Sequence, residues 1–214
     1  MQIFSASLKA ADPFIVMEWM AGGSWFDALG EDPPLPAYHR IRAARETSSA
    51  LAYLHSPVGG NPTVHRDLKP ENIMILNREK PVVKLIDFDM AKDTKTGVGS
   101  TVSKQGTKEY WSPEIREKGG CSVASDMFAL ALVALFIFWG KTPTEISDKK
   151  KIHESAHPKA NKTQQLMLQC LNENPKERPA AAVVCLTLEN FGGPSESPAR
   201  PSPSGLIFYF YFYI

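Results

Sequence analysis

One stretch constrains this 214-residue chain more than any other: His65-Arg66-Asp67-Leu68-Lys69-Pro70-Glu71-Asn72. It is a short polar segment set between a helical pattern upstream and the apolar run Ile73 to Leu76 downstream. An eight-residue string of fixed identity arises by chance on the order of once in ten billion positions if residues are drawn evenly. A match to a known signature over its whole length is therefore specific evidence.

Composition excludes some alternatives. With 24 Lys+Arg against 23 Asp+Glu, the formal charge is +1, so no global field recruits nucleic acid or an anionic membrane. Partners must be read from a site. Cys121, Cys170 and Cys185 are odd in number, widely spaced and free of C-x-x-C pairs, which predicts reduced thiols in a cytoplasmic or nuclear setting. Met1 to Ala10 lacks the basic head and long apolar core of a secretory signal. The length suits one main domain.

Gln2 to Leu8 alternates, with Phe4, Ala6 and Leu8 on one face, and Phe14 to Trp19 is a second strand-like run after the turn segment Lys9 to Pro13; together they predict a β-hairpin. Ser24-x-x-Asp27 has the form of a capping box before a short helix, Trp25 to Leu29. Tyr38 to His55 places Ile41, Ala44, Ser48, Leu51 and Leu54 near a 3.6-residue stripe, an amphipathic helix on which His39 and His55 are expected at the surface or as caps. Pro81 to Ile86 reads as a strand that delivers Asp87-Phe88-Asp89. Met127 to Trp139 is wholly apolar, yet too short for the roughly 20 residues that cross a bilayer, so it predicts a buried helix. Ala180 to Asn190 gives a last helix through Val183, Val184 and Leu188.

The eight-residue string resembles the catalytic loop of eukaryotic protein kinases, and the Lys at position 69 resembles the Ser/Thr rather than the Tyr type. The fold implied is α+β: a mostly α-helical large lobe with only a remnant hairpin and hinge of the small lobe. By this resemblance residues 1–191 form a partial kinase domain, with the last small-lobe strands and hinge in 1–23 and the large lobe in 24–191. Residues 192–214 are a Pro/Ser-rich linker and an apolar tail. Phe14 to Ser24 is similar to the fifth strand and hinge, which makes Met17 the gatekeeper and Glu18, Trp19 and Met20 the edge that meets adenine.

The resemblance also implies roles. Asp67 would face the substrate hydroxyl, Lys69 the γ-phosphate, and Asn72 and Asp87 would hold Mg²⁺. His65 would be a packed structural residue, and Arg66 a partner for a phosphate on the activation segment. Asp89 replaces the usual Gly, which removes easy access to φ > 0 and adds charge near the metal. Gly106 to Glu114 is similar to the activation-segment ending G-T-x-x-Y-x-A-P-E, with Ser112 in place of Ala. Thr107 would bridge toward Asp67 and Lys69, Trp111 would shape the substrate pocket, and Ser103 is the expected phosphosite, with Thr101 as the second choice. Ser125 to Pro143 aligns with the central helix of the large lobe, where Asp126 braces the backbone of His65 to Asp67. Arg178 would pair with Glu114. The ending and the Tyr53 to His65 segment look closest to the tyrosine-kinase-like group.

The expected ligands are ATP, Mg²⁺ and a protein substrate, with no nucleic acid and no transmembrane span. A G-x-G-x-x-G lid occurs nowhere in the 214 residues, and neither the phosphate-binding Lys nor its helix Glu partner is found before the hinge. The expectation is weak or no phosphoryl transfer by this polypeptide alone. The alternative is a non-catalytic, pseudokinase-like scaffold that docks partners through the Lys149 to Lys151 run or the exposed hairpin edge. A small-molecule phosphotransferase shares the His-x-Asp and downstream Asn, but the peptide-docking segment Gly106 to Glu114 argues against it. Leu206 to Ile214, wholly apolar or aromatic, is prone to β-association, and docking on the lobe is weighed against a non-domain extension.

Overall fold

The computed structural model describes residues 2–7, 14–29, 36–56, 60–78, 82–94, 105–139, 162–190 and 210–211. The turn at 9–13, Thr101, Ser103, the Lys149 to Lys151 run, the Pro/Ser-rich linker and most of the tail lie outside these residues.

The chain opens with β1 (Ile3–Ser7) and β2 (Phe14–Met17), paired antiparallel with an irregularity between Ile3 and Ser5. Backbone bonds tie the end of this hairpin to Ile75: Gly22 N donates to Ile75 O at 2.9 Å, and Ile75 N donates to Gly23 O at 2.8 Å. Only glycine fits at position 22, because a Cβ there would lie 2.5 Å from the Ile75 carbonyl oxygen. The expected capping box then starts α1 (Trp25–Leu29): Asp27 N donates to Ser24 Oγ, and Ser24 N donates to Asp27 Oδ2.

Two long helices form the frame of the large lobe, α2 (Ala37–His55) and α4 (Val123–Trp139), with the short α3 (Pro113–Lys118) leading into the second. Helix α4 is apolar almost all round, and every residue from Ser125 to Ile137 is buried. A helix of that pattern belongs in a core, and α2 and α5 (Lys162–Cys170) pack on it, while α6 (Ala181–Glu189) packs along α2. Among the described residues, no helix is long and apolar enough to cross a membrane.

Between α2 and α4 the chain makes small antiparallel ladders. Strand β3 (Thr63–Val64) pairs with β6 (Lys92–Asp93), and β4 (Ile73–Ile75) pairs with β5 (Val83–Leu85). The loop between β3 and β4 is the polar stretch 65–72. The final strand, β7 (Phe210–Tyr211), pairs antiparallel with β2 in the register Phe14↔Tyr211 and Ile15↔Phe210.

Four expectations are corrected. His39 is buried because it shares a helix face with Ala43 and Thr47, four and eight residues on, which are themselves buried. His55 is not at the surface either: it follows Leu51 on the core side and bonds to Asp126. Val183 is 52% exposed, since α6 buries Ala181, Val184 and Leu188 instead. The hairpin edge expected to be exposed is paired: β2 carries β7 on the side away from β1.

Candidate active site

The stretch 65–72 is held from below by one carboxylate. Asp126, buried at the head of α4, accepts the backbone N–H of His65 at 2.8 Å through Oδ2 and that of Arg66 at 3.0 Å through Oδ1. His55 Nε2 also bonds to Oδ2, at 2.8 Å. The carboxylate thus fixes two successive peptide groups, which supports Arg66 in its left-handed conformation, φ 71°. Sequence reasoning missed His55; the signal was its phase with Ser48 and Leu51, which put it on the buried side of α2.

The His65 side chain is fully buried and joins the loop to the segment after β5. Its Nε2 donates to Ile86 O at 3.1 Å, and its Nδ1 lies 3.4 Å from the Asp67 N–H. Ile86 N in turn donates to Asn72 O at 3.1 Å. Asp87 therefore follows a residue whose two backbone groups are both tied to the stretch 65–72. It too has positive φ, 61°, a strained value for a residue with a Cβ, and the Phe88 ring packs 5.0 Å from His65.

At the centre, Asp67 is buried and receives four hydrogen bonds. Lys69 Nζ donates to Oδ2 at 2.8 Å, and Thr107 donates to Oδ1 with both N–H and hydroxyl at 2.7 Å. Asn72 Nδ2 lies 3.2 Å from Oδ2 and also bonds to Asp67 O at 2.8 Å. Lys69 Nζ reaches Thr107 Oγ1 at 3.2 Å. Burial pushes the Asp67 carboxyl up, but the bonds from Lys69 and Thr107 outweigh it and hold the group below its ordinary value. Asp67 is therefore an anion at neutral pH, oriented on both oxygens.

Gly106 makes that geometry accessible. Its φ is +91°, and a Cβ would lie 2.4 Å from Arg66 O and 3.2 Å from Asp67 Oδ1. Since the first of these is backbone, the loop could not move aside cheaply.

A ledge lies beside it. Trp111 is buried among Val64, Ile115 and Cys121, and its Nε1 donates to Gln105 O at 3.0 Å. Glu114, on α3, takes a bidentate pair from Arg178 at 2.7 and 2.8 Å. Burial raises the Glu114 carboxyl, yet the Arg178 guanidinium overcomes it and keeps the group lowered. Arg178 also donates to Ala124 O and Asn172 O and lies over the Phe128 ring, 4.9 Å from its centroid.

The expected hinge residues are apart from this cluster but joined to it through Gly22, Gly23 and Ile75. Met17 and Glu18 are half-buried, Trp19 is 43% exposed and Met20 is buried. Glu18 N donates to Gln2 O at 2.9 Å, and its carboxylate accepts Gln2 N at 2.7 Å and lies 4.0 Å from Lys84 Nζ.

The donor chemistry fits a small hard cation. The Asn72 amide commits its NH₂ to Asp67, which turns its carbonyl oxygen away from that residue, and Asp87 offers a half-buried carboxylate. One amide oxygen and one carboxylate are a suitable protein share for Mg²⁺, which completes its shell with phosphate oxygens and water.

Comparison with known proteins agrees with this architecture. The protein kinase domain family matches residues 1–187. Serine/threonine-protein kinase pkn3 of Myxococcus xanthus is 32% identical over 190 residues, covering 79% of this chain and 34% of that protein. Serine/threonine-protein kinase PknB of Mycobacterium leprae is 34% identical over 133 residues, 61% of this chain and 20% of the relative. Mitogen-activated protein kinase kinase kinase 7 of Homo sapiens is 28% identical over 180 residues, with 78% and 29% covered. The chain thus spans about a third or less of the length of these curated relatives.

Proposed function

The chain belongs to the protein kinase domain family, among serine/threonine-protein kinases, and from that premise we propose that its site transfers the γ-phosphoryl group of ATP to Ser or Thr hydroxyls of proteins. The family uses ATP and Mg²⁺. The observation that carries the proposal is the convergence of Lys69, Asn72 and Thr107 on the Asp67 carboxylate.

Each group then has a chemical task. Asp67 accepts the hydrogen bond of the substrate hydroxyl, aims its oxygen at phosphorus and takes the proton as the new P–O bond forms and the bond from the γ-phosphorus to the leaving ADP oxygen breaks. Its lowered pKa makes it a weak base, which suits a reaction that needs orientation more than early deprotonation. Lys69 places positive charge beside the transferring oxygens, and Asn72 and Asp87 would hold Mg²⁺, which would supply charge neutralisation for the phosphoryl group. Met17 to Met20 face adenine, Trp111 shapes the peptide ledge, and Ser103 is the activating phosphosite with Arg66 as its receptor.

The 214 residues taken alone transfer slowly. Removal of one preorganised electrostatic donor commonly costs about 10² to 10³ in rate, and the Gly-rich lid, the phosphate Lys and its Glu partner are not among these residues. The test is phosphate incorporation from Mg-ATP into a basic Ser/Thr peptide, with Asp67→Asn as control. Trace incorporation that disappears in the control supports the assignment; robust Asp67-dependent turnover sinks the claim of slow transfer, and incorporation indifferent to Asp67 sinks the site.

A binding module is the second reading, favoured by the exposed carboxylate of Asp89 at the third position of Asp87-Phe88-Asp89. Nucleotide titration separates the two. Saturation near 1 mM Mg-ATP, common for enzymes, supports the catalytic reading, and its absence alongside partner capture supports the scaffold.

A further inference from the structure

The C-terminal end of α2, the start of α4 and the start of α6 border a cavity of about 470 Å³. His55 stands on its wall and is bonded to Asp126, the carboxylate that braces the stretch 65–72. We propose that this cavity binds a small, neutral aromatic molecule with one hydrogen-bond donor, and that its occupancy is transmitted to residues 65 and 66 through His55 and Asp126.

Small side chains make the space. Ala52 from α2, Ala124 from α4, and Ala181 and Ala182 from α6 line it together with Pro175 and Pro179. Helix ends that meet through alanines do not fill the gap between them, because a methyl group reaches only one carbon beyond the backbone. The volume lies in the range of small-molecule sites, about 300–1,000 Å³. Walls of methyl and pyrrolidine carbons suit a flat ring, which gains by burial and by close contact over both faces.

The polar groups on the wall select the kind of ligand. Arg178 is the permanent charge there, yet all five of its N–H groups are committed, to Glu114 twice and to the carbonyls of Ala124, Asn172 and Glu173. It therefore has no donor to offer an anion. His55 is different. Its side chain is nine-tenths buried, its Nε2 lies 2.8 Å from Asp126 Oδ2, and its Nδ1 has no hydrogen-bond partner among the described residues. A carboxylate only accepts, so Nε2 carries the proton and Nδ1 of the neutral ring is an acceptor. Asp126 is not on the cavity wall, so the ring turns its Asp126 side away from the cavity. Nδ1 is left to receive an O–H or N–H from a ligand.

Occupancy reaches the loop by a short route. The same Asp126 carboxylate that takes His55 accepts the His65 N–H through Oδ2 and the Arg66 N–H through Oδ1. A donor on Nδ1 fixes the tautomer and orientation of the ring, and with them the carboxylate. The coupling is reciprocal: a change at 65–66 alters ligand affinity by the same factor.

The test uses the full 214-residue chain with isotope-labelled alanine methyls, indole as probe and N-methylindole as control. Indole is expected to shift the Ala52, Ala124 and Ala181 methyl signals saturably, with a Kd on the order of 100 µM, and to shift the His65 and Arg66 amides with the same midpoint. N-methylindole is larger and more apolar, so burial alone would favour it; lacking the donor, it should bind at least fivefold more weakly. Ala182→Leu, at an exposed position on α6, should weaken indole at least tenfold by filling the cavity. His55→Phe should abolish the preference for indole over its methyl derivative, and if that variant does not fold, the two probes and Ala182→Leu decide alone. Absence of saturable shifts at millimolar indole, equal or tighter binding of N-methylindole, or indifference to Ala182→Leu would overturn the site. Methyl shifts with none at 65–66 would overturn the coupling. None of these readouts depends on phosphoryl transfer.

Discussion

The stretch 65–72 and the β1–β2 hairpin make opposite use of the same chain. Residues 65–72 are short in sequence yet held by groups 40, 60 and 61 residues away, at Thr107 and Asp126. The hairpin is held mainly by its own two strands, and Ile3 and Phe4 are 55% and 56% exposed. The chemistry-bearing groups are therefore ordered by the large lobe alone. The groups proposed to meet adenine sit on an element whose order depends on what covers it. Damage to the first region should disturb structure and catalysis together, and damage to the second should leave the fold intact.

The largest expected effect is at Arg178. Arg178→Ala leaves the half-buried Glu114 carboxylate without its partner, and breaking such a pair costs about 3–5 kcal/mol. For a chain of this size the melting temperature should fall by roughly 10 °C in thermal unfolding. A change within error would mean that this pair does not brace the ledge.

Asp126→Asn should come next. A hydrogen bond to a charged group contributes about 1.5–3 kcal/mol, and the amide cannot accept on both sides from His65 and Arg66. Chemical denaturation should show a loss of that order with faster exchange at 65–67.

Acid should act through the same region. Asp67 and Glu114 both have lowered carboxyl pKa values in the folded state. Their stabilisation is fully present above the unfolded values near 4 and is lost as pH falls through the depressed folded ones. Stability should fall with decreasing pH at up to about 1.4 kcal/mol per unit for each group in that window. Arg178→Ala should flatten the Glu114 part of the slope; an unchanged slope would argue against the pair as its source.

The smallest effects belong to the hairpin. Lys84→Ala removes a 4.0 Å partner of Glu18 that is only partly buried, worth about 0.2–1 kcal/mol, and Phe4→Ser should lie within about 0.5 kcal/mol of neutral. A loss above about 2 kcal/mol at Phe4, well outside the usual range for surface positions, would show that the hairpin face is covered after all and would collapse the contrast.

Legibility in the sequence divides along the same line. The all-apolar run 127–139 announced a core helix, and the unbroken string 65–72 announced the site, because both are dense local signals. The partners Asp126, Thr107 and Arg178 were reachable only through a family pattern, since no periodicity ties together residues so far apart in the chain. His39 and His55 were misread because an isolated polar residue was weighed by type and not by its phase on α2. Val183 on α6 was misread for a related reason: an apolar residue in a helix pattern does not show whether anything packs on its side.

Arg178 also imposes an order in time. It bonds to Glu114, 64 residues earlier, and at about 5–20 residues per second the ribosome needs roughly 3–13 s to add that stretch. During that interval the ledge exists without its clamp, the stretch 65–72 has already been synthesised, and α4 (Val123–Trp139) is being added. Assembly of the ledge is thus a late event in the making of the chain, and a stalled or shortened product that stops before residue 178 would carry the stretch 65–72 beside an unfinished ledge.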